Sequence, residues 1–333
     1  MSVTAAIFAI GTEIFLGSIV DTNSSYIAKR LSEAGVDVKL IRPLPDQLDF
    51  IVDVIKGAFD DYNIIITTGG LGPTFDDLTA EAVSKAAGMN TVFNETAYLH
   101  IEGLLKKRGV QIKESHKRQA YLPEKCELLP NNYGTAMGFI VEKNNSYSIS
   151  LPGIPYEMKP MFEDYVLPFI RTRFNLPTVY MDDFRFSGLP ESDVDEVIRD
   201  IGIPEDVETI INVSKGEIIV RLKSLSQESF EYFSAKIVEK LKRYYIGKGD
   251  ESLEVVLVNM LKDRRLTISF AESCTGGLLS KKITDVSGSS KVFLGSIIAY
   301  SNDVKISMLG VNPDTINQYG AVSAEVAIEM AKG

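Results

Sequence analysis

Residues 63–79 read NIIITTGGLGPTFDDLT, and the fold turns on how this stretch is read. Ile64, Ile65 and Ile66 make a short β-branched apolar run, the pattern of a buried strand, and a helix is predicted from about Thr79. Between them, Gly69, Gly70 and Gly72 let the backbone turn sharply and come close to a ligand, while the helix start offers free N–H groups to a phosphate. Asp76 and Asp77 put paired carboxylates beside that anion site, which makes electrostatic sense with a cation between them. A tight turn ahead of an acid-rich helix start is the bland alternative.

Working outward, an apolar strand at about 5–10 ends at Gly11-Thr12-Glu13, and Asp21 to Ser24 supply caps for a helix that stops at Gly35. Val36, Val38 and Leu40 alternate as a strand, and Leu48, Ile51, Val52, Ile55 and Phe59 recur at helical spacing. Strands alternating with helices imply a parallel sheet covered on both faces, with ligands at the carboxyl ends of its strands. Glu13 and the glycine stretch both fall at such ends. Residues 95–120, with His100 and His116, read as helical, and those histidines as surface or packing groups. Lys117, Arg118 and Gln119 read as a solvated helix face from which one basic residue could reach a phosphate. A hairpin is predicted around Lys143-Asn144-Asn145, and LPGIPYEM (151–158) forms a third strand-to-helix loop on the same sheet edge. Glu13, Asp21 and Asn23, like Gly153, Pro155 and Glu157, could either shape helix ends or face the ligand.

The 333 residues, 45% of them hydrophobic, allow two or three domains with real cores. A formal charge of −10 argues against a protein that wraps nucleic acid. Cys126 and Cys274 are far apart and there are only 2 histidines, so neither a disulfide framework nor a zinc cluster is expected. The first apolar run is too short for a membrane span and lacks a basic leader, so a cytoplasmic protein with no membrane partner is expected.

From 178 to 246 the pattern becomes strand, helix, strand, strand, helix, a small α+β module with a hairpin turn at Ser214-Lys215-Gly216 and a solvated helix end at Lys240-Leu241-Lys242-Arg243. Residues 247–250 (Gly-Lys-Gly-Asp) read as a linker. An amphipathic helix, a strand at 266–270 and AESCTGG (271–277) follow, then a second strand ending in Tyr300-Ser301-Asn302 and a helix with Lys305. Ser273, between a strand end and a helix start, is well placed to attack a carbonyl with backbone N–H groups stabilising the oxyanion, and Lys305 or Tyr300 could serve as base. Ser273 and Thr275 could equally be plain caps, and Cys274 reads as a small packing residue.

GTEIFLGSIVDTNS, TTGGLGPTFDDLT, NNYGTAMGF and LPGIPYEM, in that order, resemble the molybdopterin-binding-like part of the CinA family (competence/damage-inducible proteins). The middle module resembles that family's KH-like insert, though without a GxxG clamp, and AESCTGG, SGSS and AYSNDVK resemble its nicotinamide mononucleotide deamidase domain. The resemblance implies an α/β chain of three parts. These are a three-layer, mostly parallel molybdopterin-binding-like domain at 1–175, a KH-like module at 176–247 and a partial deamidase-like domain at 251–333.

It further implies hydrolysis of ADP-ribose to AMP and ribose 5-phosphate with a divalent metal ion (Mg, Mn or Co), with Asp77 first and Asp76 second as metal ligands or water activators. Gly69, Gly70, Gly72 and Thr74 are then phosphate contacts, Glu13, directly after a strand, counts with the two aspartates as catalytic, and Asp21, Asn23, Gly153, Pro155 and Glu157 contact the substrate. Ser273, Tyr300, Lys305 and Thr275 carry over as the amidase set, in a domain expected to be incomplete because family members continue past this point. A small-molecule nucleotide substrate, no nucleic acid and a homodimer complete these expectations. A nucleotide- or pterin-binding module without turnover, a regulatory scaffold, and an active nicotinamide mononucleotide amidohydrolase in pyridine nucleotide recycling are the alternatives.

Overall fold

The computed structural model describes residues 2–214, 216–249 and 251–333, so Lys215 of the expected hairpin turn and Asp250 of the expected linker lie outside the described residues. The chain divides into two compact units, Met1–Tyr180 and Met181–Gly333. Among the described residues no helix is long and apolar enough to cross a membrane.

In the first unit, β1 (Thr4–Ile10) leads through α1 (Thr12–Phe15) and α2 (Thr22–Glu33) to β2 (Asp37–Leu44), and α3 (Leu48–Asp61) leads to β3 (Ile64–Thr68). Then come α4 (Thr79–Ala87), β4 (Thr91–Phe93), α5 (Glu95–Lys107), α6 (Glu114–Lys117), β5 (Tyr121–Pro123), β6 (Glu127–Leu129), β7 (Gly138–Lys143), β8 (Ser146–Leu151), α7 (Pro155–Met161) and α8 (Leu167–Phe174). The main sheet has the order β2-β1-β3-β8-β7-β6, parallel from β2 to β8 and antiparallel beyond. Alternation along β1 builds both layers. Ala6, Phe8 and Ile10 pack with α3 and α4, while Ala5 and Ile7 pack with α2 and the helices after β8. The α/β class and the mostly parallel sheet are therefore as the sequence predicts.

Several local devices are visible in sequence terms. Asp21 caps α2 by accepting the Ser24 N–H, and the β7–β8 hairpin closes through Asn144 and Asn145 at φ +53° and +62°, the left-handed pair that a two-residue turn needs. The single helix expected over 95–120 is instead broken after Lys107, and the chain reaches β5 through α6 and a 3₁₀ turn, Arg118–Ala120. The expected helix at 156–170 is interrupted by a π turn, Phe162–Val166; Pro160 and Pro168, which have no N–H to donate, stand on either side.

The second unit holds β9 (Tyr180–Ser187), α9 (Glu191–Ile201), β10 (Val207–Ser214), β11 (Glu217–Ser224), α10 (Gln227–Lys240) and β12 (Tyr245–Lys248), with sheet order β10-β11-β9-β12. Two readings are corrected here. Gly247 and Lys248 are not linker but pair with Arg185 and Phe184 of β9, and Leu241 is not solvated but buried in this module's core. The rest comprises α11 (Leu253–Arg264), β13 (Ile268–Glu272), α12 (Leu278–Thr284), β14 (Phe293–Ile298), α13 (Asn302–Leu309), α14 (Pro313–Tyr319) and α15 (Ala324–Lys332), with β13 and β14 parallel.

Three strand ends of the first unit finish level, since Ala9 pairs with Thr68 and Thr68 with Leu151. Gly69 sits between them at φ +102°, donates its N–H to the Leu151 carbonyl at 3.0 Å, and leaves so little room that a Cβ would lie 2.2 Å from the Ile10 oxygen. Gly69→Ala is expected to destabilise the first unit by about 2–4 kcal/mol, combining left-handed strain with overpacking against fixed backbone. Denaturant unfolding measures this, and an unchanged midpoint would contradict it.

Candidate active sites

The level strand ends floor a cavity of about 510 Å³. Glu13, Asp21, Asn23, Gly69, Gly70, Gly72, Asp77, Gly153, Pro155 and Glu157 all line it, so ten of the residues singled out from sequence in this unit come together. Each loop is held by its neighbours. Gly153 packs 3.2 Å from the Gly69 Cα at the position a Cβ would take, and the Asn23 amide donates to Thr68 Oγ1 at 3.0 Å and to the Gly153 carbonyl at 2.8 Å. Glu157 is buried and accepts a 2.7 Å bond from Asn131 Nδ2. Asn131 in turn holds the N–H groups of Tyr133 and Gly134, so the NNYGTAMGF stretch serves as the seat for the acid of the LPGIPYEM loop. His100 buttresses that seat through a 3.0 Å contact with the Gly134 carbonyl.

Other residues stand where the sequence did not predict. Thr74 and Asp76 are not among the cavity's lining residues. Thr74 points its N–H and hydroxyl at Asp77 Oδ2, at 2.7 and 2.6 Å, and its hydroxyl also bonds Asp76. That hydroxyl, helped by the backbone N–H of Asp76 itself, lowers the pKa of the exposed Asp76 carboxyl. The two acids therefore part company: Asp77 lines the cavity, its Oδ1 without a hydrogen-bond partner among the described residues, and Asp76 braces the turn. The Gly69 N–H is bonded to Leu151, and the Thr79 N–H that opens α4 is bonded to the Gly70 carbonyl at 3.1 Å, so neither reaches a phosphate. Among the described residues the N–H groups of Gly70, Leu71 and Gly72, which line the cavity, make no backbone hydrogen bond and can serve an anion.

Among the described residues no group of three or more His, Cys, Asp or Glu is placed to cage a metal ion. The donor set nonetheless fits a hydrated divalent ion shared with a substrate phosphate, because such ions take one or two carboxylates and keep several waters. Asp77 offers a free oxygen, and Gly72 gives it clearance, since a Cβ there would come within 2.5 Å of the carboxylate. Two buried side-chain oxygens on the cavity wall, Asn23 Oδ1 and Gln119 Oε1, have no hydrogen-bond partner among the described residues and can accept from bound water or ligand. Gln119 is not on a solvated helix face as its neighbours suggest; it is buried, with Nε2 donating to the Leu71 carbonyl at 3.0 Å. Its position depends on a partner 48 residues away, which no local pattern signals. Asn131, by contrast, lies within a motif already visible in the sequence.

In the second unit Lys305 is buried, and its Nζ lies 3.1 Å from Ser273 Oγ, 2.8 Å from the Ala299 carbonyl and 3.0 Å from the Tyr300 carbonyl. Ser273 and Lys305 thus meet as expected from sequence, whereas Tyr300 contributes its carbonyl and is itself 76% exposed. The expected oxyanion donors are differently employed. Glu272 is buried and accepts the N–H groups of Gly277, Leu279 and Ser280 at 3.0, 3.1 and 2.9 Å, with Ser280 Oγ at 2.5 Å. Burial opposes its charge, but the bonds from Ser280, Thr275 and Leu279 prevail and bring its carboxyl down to about 2. Thr275 is therefore a partner of Glu272. Cys274 is exposed, not packed, while burial pushes the Cys126 thiol up to about 11.

A family model described as "Probable molybdopterin binding domain" matches residues 6–172, and one described as "CinA C-terminal domain" matches residues 250–333. A "Putative competence-damage inducible protein" of Clostridium botulinum (strain Loch Maree / Type A3) is 43% identical over 336 residues, spanning 99% of this chain and 82% of that protein. A CinA-like protein of Kosmotoga olearia is 42% identical over 336 residues, spanning 99% of this chain and 81% of that protein. The crystal structure of "the protein CinA with unknown function" from Thermoplasma acidophilum covers 51% of this chain and 99% of that one, at 31% identity and a TM-score of 0.48.

Because the folded pKa of Glu272 lies below its ordinary 4.5, its bonds stabilise the helix start fully above that value and are lost as pH falls toward 2. Hydrogen exchange is expected to show strong protection of the Gly277, Leu279 and Ser280 amides near pH 5, weakening toward pH 2. Protection should be weak at every pH in Glu272→Gln; amides indifferent to both changes would contradict the assignment.

Proposed function

The chain belongs to the CinA family, and from that premise we propose that its first unit is a hydrolase that splits ADP-ribose, or a related dinucleotide, into AMP and ribose 5-phosphate. The observation that carries this reading is the convergence at one cavity of backbone donors at Gly70 to Gly72 and the open carboxylate of Asp77. The backbone donors orient the diphosphate, and Asp77 Oδ1, held steady because Thr74 grips the other oxygen, is the protein ligand for a divalent ion. When bound, that ion offsets phosphate charge and lowers the pKa of an attacking water. Glu157, held by Asn131, and Glu13 on the rim supply acceptors for the protons and hydroxyls of water and sugar. A cytoplasmic homodimer acting on small molecules is part of the same reading.

A second activity, deamidation of nicotinamide mononucleotide in the second unit, is favoured by the 3.1 Å contact between Lys305 Nζ and Ser273 Oγ. In its neutral form the amine donates its two hydrogens to the Ala299 and Tyr300 carbonyls and keeps a lone pair for the serine proton. Ser273 Oγ then bonds to the carboxamide carbon, the proton passes through Lys305 to the departing nitrogen, and ammonia leaves. Water cleaves the resulting ester to the carboxylate.

With ADP-ribose and manganese, AMP release measured by chromatography is expected to fall at least ~100-fold in Asp77→Asn and much less in Asp76→Asn. Equal losses in both variants would count against the division of roles. Ammonia release from nicotinamide mononucleotide is expected to disappear in Ser273→Ala and in Lys305→Met, with AMP release from ADP-ribose unchanged. Ammonia release that survives Ser273→Ala would remove the second activity from this serine.

A further inference from the structure

We propose that a second cavity beside the first makes one bipartite cleft with it, in which Gln119 reads a sugar hydroxyl at the junction. On this view the nucleoside half of the substrate occupies the larger compartment and the second sugar the smaller. The proposal takes its ligand class from the hydrolase reading above. The second cavity, of about 450 Å³, shares Gly70, Leu71, Gly72, Asp77 and Gln119 with the first, so the wall between them is the proposed diphosphate and metal site itself. A ligand whose bridge lies on that wall has an open compartment on each side.

Gln119 is more than nine-tenths buried, and its orientation is fixed by the Nε2 bond to the Leu71 carbonyl. Oε1 is thereby left as a buried acceptor without a partner among the described residues, on a wall common to both compartments. A carbonyl oxygen repels phosphate oxygens and pairs with an O–H or N–H, so the group that completes it is a donor lying beside the phosphates rather than a phosphate itself. In a dinucleotide the neighbours of the diphosphate are sugars. The smaller compartment has the remaining features of a sugar site next to an anion. Ala80 and Glu81, in the first turn of α4, line it with N–H groups that have no acceptor within the helix. Arg118 lines it and makes no ion pair among the described residues, and the half-exposed ring of Tyr121 offers a face to a pyranose or furanose.

AMP needs only one compartment and ADP-ribose needs both, which separates this inference from generic nucleotide binding. Titration calorimetry with ADP-ribose and with AMP, in metal-free buffer containing chelator, compares wild type with Gln119→Met and with Arg118→Ala. Arg118 is exposed, so its variant tests the idea even where Gln119→Met misfolds. Each variant is expected to weaken ADP-ribose binding ~10-fold and AMP binding less than twofold. Equal weakening of both ligands, no weakening of either, or wild type that binds neither would overturn the proposal. So would unchanged metal-free constants in Gln119→Met together with a raised manganese requirement for turnover, which would assign Oε1 to a metal-bound water. Failure of the hydrolase reading is distinct, appearing as wild type that binds ADP-ribose normally and releases no AMP.

Discussion

The contact between Gly69 and its two neighbouring strand ends governs the first unit. Its N–H is fixed on the Leu151 carbonyl, a Cβ on it would strike the Ile10 oxygen at 2.2 Å, and a Cβ on Gly153 would come within 3.2 Å of its Cα. Only hydrogen fits at position 69, and because it fits, the loops after β1, β3 and β8 are brought to one point. The cavity at the strand ends follows from that closeness. Ligand binding at the carboxyl ends of parallel strands usually exploits a gap between diverging loops. Here the loops also brace each other through Asn23, Thr68 and Asn131.

Where the determining physics is local, the sequence was legible. The β-branched run at Ile64 to Ile66, the paired asparagines at 144 and 145 and the Asp21 cap each act within a few residues of themselves, and the elements they specify are those observed. Legibility ended where a partner lies far along the chain. Gln119 owes its burial to Leu71, and Gly247 joins a sheet only because β9 presents an edge some 60 residues earlier. Adjacent residues were also hard to rank: Asp76 and Asp77 are chemically identical, and the direction in which Thr74 points its hydroxyl and N–H decides between them.

The two units solve opposite electrostatic problems. The first gathers carboxylates and backbone donors on one cavity, a combination that suits an anionic substrate only with a cation between them. The second buries a lysine among two carbonyls and a serine, an arrangement that on the proposed reading lets it take the serine proton and pass it to the departing amide nitrogen. Glu272, next to that serine, takes the N–H groups of Gly277, Leu279 and Ser280 around the start of α12, so the loop bearing Ser273 is held by a buried carboxylate.

The central claim, that the level strand ends bind a metal-bridged dinucleotide, is tested most directly by a crystal structure with manganese and an ADP-ribose analogue whose diphosphate bridge carries a methylene. The diphosphate is expected against the Gly70 to Gly72 backbone, with an anomalous manganese peak beside Asp77 and a sugar on each side of Gln119. Manganese away from Asp77, or the analogue bound elsewhere on the chain, would contradict it.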